Sequence, residues 1–105
     1  MDIKQLKEYS ELAFDFSMQK RNALEKMRGR QVMAYNGCLF RADTNIINTV
    51  STLKDHKKEF VVLDMNENPC RIDNPDDFLE KLIERNQESL NDLEALNKQF
   101  QEKKF

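Results

Sequence analysis

The sequence predicts an α+β chain, with two long terminal helices flanking a small antiparallel β element and one short helix. Three observations carry this expectation. Apolar residues recur three and four apart over both ends of the chain. Between those ends an Asn36-Gly37 pair marks a tight hairpin turn, because both residue types tolerate positive φ. Farther on, Phe60-Val61-Val62-Leu63 is a run of strand-forming residues followed by a polar turn and a second short apolar piece.

The chain has 105 residues, enough for one domain with a modest core. It divides into a long N-terminal helix over 1–31, a small αβ insert over 32–73 and a long C-terminal helix over 74–105. Two glycines and two prolines exclude a linker or low-complexity chain. The first helix, 3–30, is written by Ile3, Leu6, Tyr9, Ala13, Phe16, Leu24 and Met27. Phe14 and Met18 fall off that stripe and either widen it or form a second contact surface. Gly29 loosens the last turn.

The insert begins with short strands on either side of Asn36-Gly37. Asp43 or Thr44 then caps a helix of roughly ten residues, with Ile46, Ile47, Val50 and Leu53 on its apolar stripe. Phe60–Leu63 is the strongest strand; 64–69 turns, and Cys70-Arg71-Ile72 returns. The two hairpins together have the makings of one small sheet. Asn74 is placed to cap the last helix, with Pro75 at its first position and Asp76 and Asp77 in its first turn, where negative charge is favoured.

The last helix carries the strongest interaction feature. Leu79, Ile83, Leu90, Leu93 and Phe100 fit a heptad, and Asn86 and Asn97 fall on the same seam; Leu82 and Leu96 broaden it. A buried Asn in such a seam fixes register or oligomer state at some cost in stability. The seam serves either an intramolecular pairing of the two long helices or an association between copies. A secondary contact set is Tyr35, Phe40, Arg28 and Arg30, because aromatic and arginine side chains anchor interfaces.

Several chemistries find no support in the residues. Cys38, His56 and Cys70 come from three elements and lack the close spacing of a metal site. Asp64, Asn66 and Glu67 lack the glycine and closing glutamate of a calcium loop. The single histidine, His56, sits in a polar stretch that reads as the exposed end of a helix, and so as a surface histidine rather than the base of a nucleophile pair. No cofactor and no enzyme activity are therefore expected. Seventeen basic against nineteen acidic residues give a net charge of -2, which predicts no strong attraction to nucleic acid or anionic lipid. No apolar run is long enough to span a membrane, and the opening MDIKQLKEYSE is not a secretory signal. The two cysteines read as small hydrophobes rather than a disulfide.

Tyr35-Asn36-Gly37, Phe40-Arg41-Ala42-Asp43, the apolar helix Ile46–Leu53, the strands Phe60–Asp64 and Cys70–Ile72, and the helix after Pro75 form an ordered series. In that order they resemble a small uncharacterised domain family of tailed bacteriophages and prophages, associated with tail-fibre or tail-fibre-assembly proteins. The resemblance covers Arg21 to about Phe100. Two departures stand out: this chain has no tryptophan ahead of the acidic turn, and its last helix is more charged. The resemblance implies a structural or assembly role, in the host cytoplasm during infection or in the virion, with self-association or a phage or host protein as partner. It carries no catalytic residues to transfer. The competing expectation is a small phage-encoded regulatory or inhibitory protein that binds a host factor.

Overall fold

Asp2 opens the first helix. Its side chain accepts the Gln5 N–H at 2.8 Å while the Gln5 side chain accepts the Asp2 N–H at 3.3 Å, a reciprocal capping box. A computed structural model describes residues 2–102, with side chains described as far as Gln99. The side chain of Phe100, assigned to the helical seam by the sequence, lies outside the described residues.

Helix α1 runs Ile3–Arg30. It is followed by β1 (Val32–Tyr35), β2 (Cys38–Arg41), α2 (Thr44–Lys54), β3 (Phe60–Leu63), β4 (Pro69–Ile72) and α3 (Pro75–Glu102). The fold is α+β: two long helices and one short one, with antiparallel two-stranded sheets between them.

The first hairpin turns on Asn36 (φ 51°) and Gly37 (φ 76°). Positive φ at both central residues is the turn whose twist matches paired strands, and it sets Tyr35 opposite Cys38 and Met33 opposite Phe40. The second hairpin pairs Phe60 with Ile72 and Val62 with Cys70. Asp64 shapes its loop: one carboxylate oxygen accepts the N–H groups of Asn66 (2.9 Å) and Asn68 (2.8 Å).

The expectation of one sheet is corrected. The strands form two separate pairs. A single backbone bond joins the hairpins, from the Met65 N–H to the Leu39 carbonyl at 2.8 Å. Met65 lies beyond the end of β3, and the Asn36 side-chain amide donates to the Arg71 carbonyl at 3.3 Å, so the hairpins touch without pairing strand to strand.

Both hairpins and α2 contribute side chains to one core. Phe40, Val50, Ile72, Phe78 and Leu82 are fully buried there. Phe78 of α3 is at its centre, stacked on Tyr35 at 4.6 Å and edge-on to Phe40 at 4.8 Å between ring centroids. The caps aim the helices. Asp43 accepts the Ile46 N–H at 3.0 Å and fixes the start of α2. Asn74 accepts the Asp77 N–H at 3.2 Å and fixes the start of α3. Lys54 at the end of α2 reaches Asp76 at 3.0 Å.

Candidate interaction surface

The core region is a head from which two helices leave in the same direction. Ala42, buried in the core of the head, donates its N–H to the Gln31 carbonyl at 2.8 Å, and its carbonyl accepts from the Asn86 side chain at 2.9 Å. The end of α1 is thereby held level with the middle of α3. Arg30 closes the same junction on Asp92 at 2.9 Å. The two helices run antiparallel from there, which makes the molecule 65 Å long and 25 Å by 22 Å across.

The arm is unequal. Beyond Asn86, α3 has sixteen residues to Glu102, about 24 Å at about 1.5 Å per residue. All 28 residues of α1, about 42 Å, lie on that side. Helix α1 therefore overhangs by about 18 Å, or some twelve residues. Burial follows this arithmetic. Ala23 is buried and Phe16, Leu24 and Met27 are half-buried, whereas every residue from Asp2 to Asp15 is exposed. Ile3 is 87% exposed and Tyr9 67%, with Leu6, Leu12 and Phe14 beside them. This is the largest run of uncovered apolar side chains among the described residues. Soluble chains rarely leave such a contiguous face open unless it meets something.

The residues assigned to the α3 seam divide. Leu79, Asn86 and Leu93 face inward within the chain. Ile83 is 44% exposed, Leu90 is exposed beside it, and Asn97 is exposed too. The row covered within the chain is Leu82, Asn86, Ser89, Leu93 and Leu96. Ser89 belongs to it without being apolar. Its hydroxyl donates to the Asn86 carbonyl at 2.7 Å, so a polar residue is satisfied inside the helix's own turn and can be buried. A heptad drawn through apolar residues alone passes over it. Asn86 is a buried tie to Ala42 within one chain, where the sequence offered it as a determinant of register or oligomer state.

The secondary contact set divides as well. Phe40 is 1% exposed and belongs to the core. Tyr35 is half-buried, stacked on Phe78 and donating its hydroxyl to Asp77 at 3.0 Å. Arg30 is engaged by Asp92, and Arg28 is exposed in the last turn of α1. The two aromatics flank the Asn-Gly turn, and their pairing with a distant Phe78 left no trace in local sequence.

Burial, helped by the bond to Asp77 and by the charges of Asp77 and Asp73, pushes the Tyr35 hydroxyl up to about 12. Lys81 and Tyr35, both bonding its carboxylate, hold Asp77 below the usual range. Cys38 and Cys70 are free thiols, half-buried and buried. Burial first, then Cys38 alongside, pushes Cys70 up to about 11, so it stays protonated at neutral pH.

An open groove of about 490 Å³ lies between α2 and the second hairpin, floored by Ile46, Leu53, Val61 and Leu63. Its two carboxylates, Asp43 and Asp64, are committed to the α2 cap and to the loop after β3. His56 is exposed at the end of α2, away from this groove. Among the described residues no three His, Cys, Asp or Glu side chains gather as a metal site. No described helix is long and apolar enough to cross a membrane. No protein-family model matches the chain, and neither a curated protein nor a solved structure matches it.

Proposed function

We propose that the chain is a non-catalytic structural or assembly protein of a tailed phage, acting through helical protein–protein contacts. One observation carries the reading of a contact protein: the N-terminal half of α1 projects past the end of α3 with its apolar side chains uncovered. A rigid head holding a half-covered helix is suited to docking, because most of the ordering cost of α1 is already met by its packed half. The phage assignment is supported by the ordered motifs from Tyr35 to the helix after Pro75.

The test is deletion of residues 2–12, followed by particle fractionation from producing cells. The shortened chain keeps the far-ultraviolet spectrum of a folded head. We expect it to lose co-purification with tails or tail intermediates, which the full chain shows. A full chain that never accompanies particles, but is recovered bound to one host enzyme, decides for a regulatory protein. The aromatic anchors first considered for that role, Tyr35 and Phe40, are engaged inside the head.

A further inference from the structure

The backbone of β3 has an open side. The Asp64 N–H bonds the Asn68 carbonyl at 2.9 Å, and both residues continue the register that sets Val62 opposite Cys70 and Phe60 opposite Ile72. In an antiparallel pair such bonded positions alternate, so Phe60 and Val62 bond β4 while Val61 and Leu63 turn their N–H and C=O groups the other way. The Arg71 carbonyl, opposite Val61, is turned outward by the same rule, and the Asn36 amide takes it at 3.3 Å. Among the described residues nothing bonds the outward groups of Val61 and Leu63.

The other edges are guarded. β1 runs beside Lys81, Glu84 and Arg85 of α3. On β2 the Leu39 carbonyl takes the Met65 N–H and the Arg41 carbonyl takes the Asp43 N–H, each at 2.8 Å. β4 carries Pro69 and Arg71, and Arg71 meets both Asn36 and Glu59. Proline, charge and covering segments are the usual means of keeping an edge from pairing. β3, reading FVVL, has none of them, and its Val61 and Leu63 side chains are exposed. We propose that the groove between α2 and β3 binds an extended segment of a partner protein as an added strand on β3.

Two features select that occupant. The first is α2, which walls the groove with Ile46 and Leu53 alongside the open edge. A second copy of this chain would bring its own α2 beside its own β3. Helices about 10 Å thick do not fit side by side under strands about 4.8 Å apart, so two such edges do not close on each other. A bare extended segment meets no such obstacle, and its main chain supplies the missing bonds. The second feature is charge. The groove is apolar where Leu53 faces Val61, and its charged residues, Arg41, Asp43 and Asp64, lie where α2 begins and β3 ends. Asp43 and Asp64 each spend one carboxylate oxygen on backbone N–H groups and keep the other. Two carboxylates against one guanidinium leave a negative charge at this end. The complementary segment has one basic residue followed by alternating apolar residues. Laid antiparallel, the more stable pairing, it sets its basic residue level with Asp64. The residues opposite Leu63 and Val61 then exchange the backbone bonds, and those opposite Val62 and Phe60 turn toward α2.

This surface goes beyond the contact function of α1 and does not depend on it. The probe is the peptide acetyl-KTVTV-amide, titrated into the isotope-labelled full chain and followed by amide resonances and hydrogen exchange. Binding should saturate with a Kd of about 0.1–1 mM. The Val61 and Leu63 amides should shift and exchange more slowly, while those of Phe60 and Val62, already bonded to β4, change little. Methylating both threonine nitrogens of the peptide removes the donors that face β3 and should weaken binding at least tenfold. Glutamate in place of the lysine should weaken it severalfold. Val61→Pro removes one outward N–H and no ladder bond, and should abolish binding while circular dichroism shows a folded chain. Should that variant unfold, the methylated peptide on the unaltered chain decides. Absence of saturable shifts at about 5 mM peptide overturns the proposal, as does equal binding of the methylated or glutamate peptide. Protection of Val61 and Leu63 that grows with protein concentration, without peptide, also overturns it, because a second copy then covers the edge.

Discussion

Leu82 and Ile83 are neighbours on α3, and the two possible seams disagree about them. Truncating each to alanine separates the alternatives. Leu82 is wholly buried in the cluster around Phe78, and its truncation opens a cavity among close-packed side chains. Leu-to-Ala changes at such sites cost about 2–5 kcal/mol; the tight aromatic surroundings favour the middle of that range, about 3–4 kcal/mol. Ile83 keeps 44% of its surface exposed, so truncation removes only part of its burial. The higher helix propensity of alanine returns a few tenths of a kcal/mol, leaving a net cost under about 1 kcal/mol. In a chain of this size 1 kcal/mol moves the melting temperature by about 4–8 °C. Leu82→Ala should thus lower it by roughly 12–30 °C and Ile83→Ala by less than about 8 °C. The assay is thermal and urea unfolding followed by helix circular dichroism, at concentrations low enough that association does not contribute. Equal costs, or a larger cost at Ile83, would refute this phase of the helix and restore the seam through Ile83, Leu90 and Asn97.

Asn86→Ala should cost about 2–4 kcal/mol, because it orphans the buried Ala42 carbonyl as well as removing contacts; urea midpoints give the value, and a change under about 0.5 kcal/mol would show the tie to be idle. Stability should fall in alkali. Tyr35 and Cys70 hold their protons more tightly folded than unfolded, so their contribution is complete below about pH 9 and is lost as pH rises through about 11 and about 12. The combined Tyr35→Phe and Cys70→Ala variant should flatten that decline, and an unchanged slope would mean that other groups cause it. At neutral pH Cys70 should react with iodoacetamide far more slowly than in urea, measured by mass of the labelled peptide; equal rates would contradict its burial.

Much of the fold is legible in the residues because the cues are local. Asp43 and Asn74 cap helices through backbone amides three residues on, and a short polar side chain before an apolar repeat announces this. Asn36-Gly37 turns because its own φ angles permit it. The four β residues at Phe60–Leu63 have no better local conformation. These elements follow from the chain within a few residues of each position.

The contact surface is legible only in part. Apolar periodicity assigns α1 and α3 as helices, but a stripe three and four residues wide does not say which edge of it turns inward. On α3 that depended on Ser89, which could be buried only by bonding back to Asn86, and on Phe78, whose ring drew Tyr35 and Phe40 out of the surface set. The overhang is equally non-local. Ile3–Leu12 and Ala23–Met27 look alike as sequence. They differ because the head consumes the first three turns of α3 and so leaves it too short to cover α1. The sequence by itself determined where the helices and turns lie, since those are settled by bonds and torsions between near neighbours. Only the tertiary structure decided which apolar residues are spent on the core and which remain to meet a partner, since that depends on where distant segments end in space.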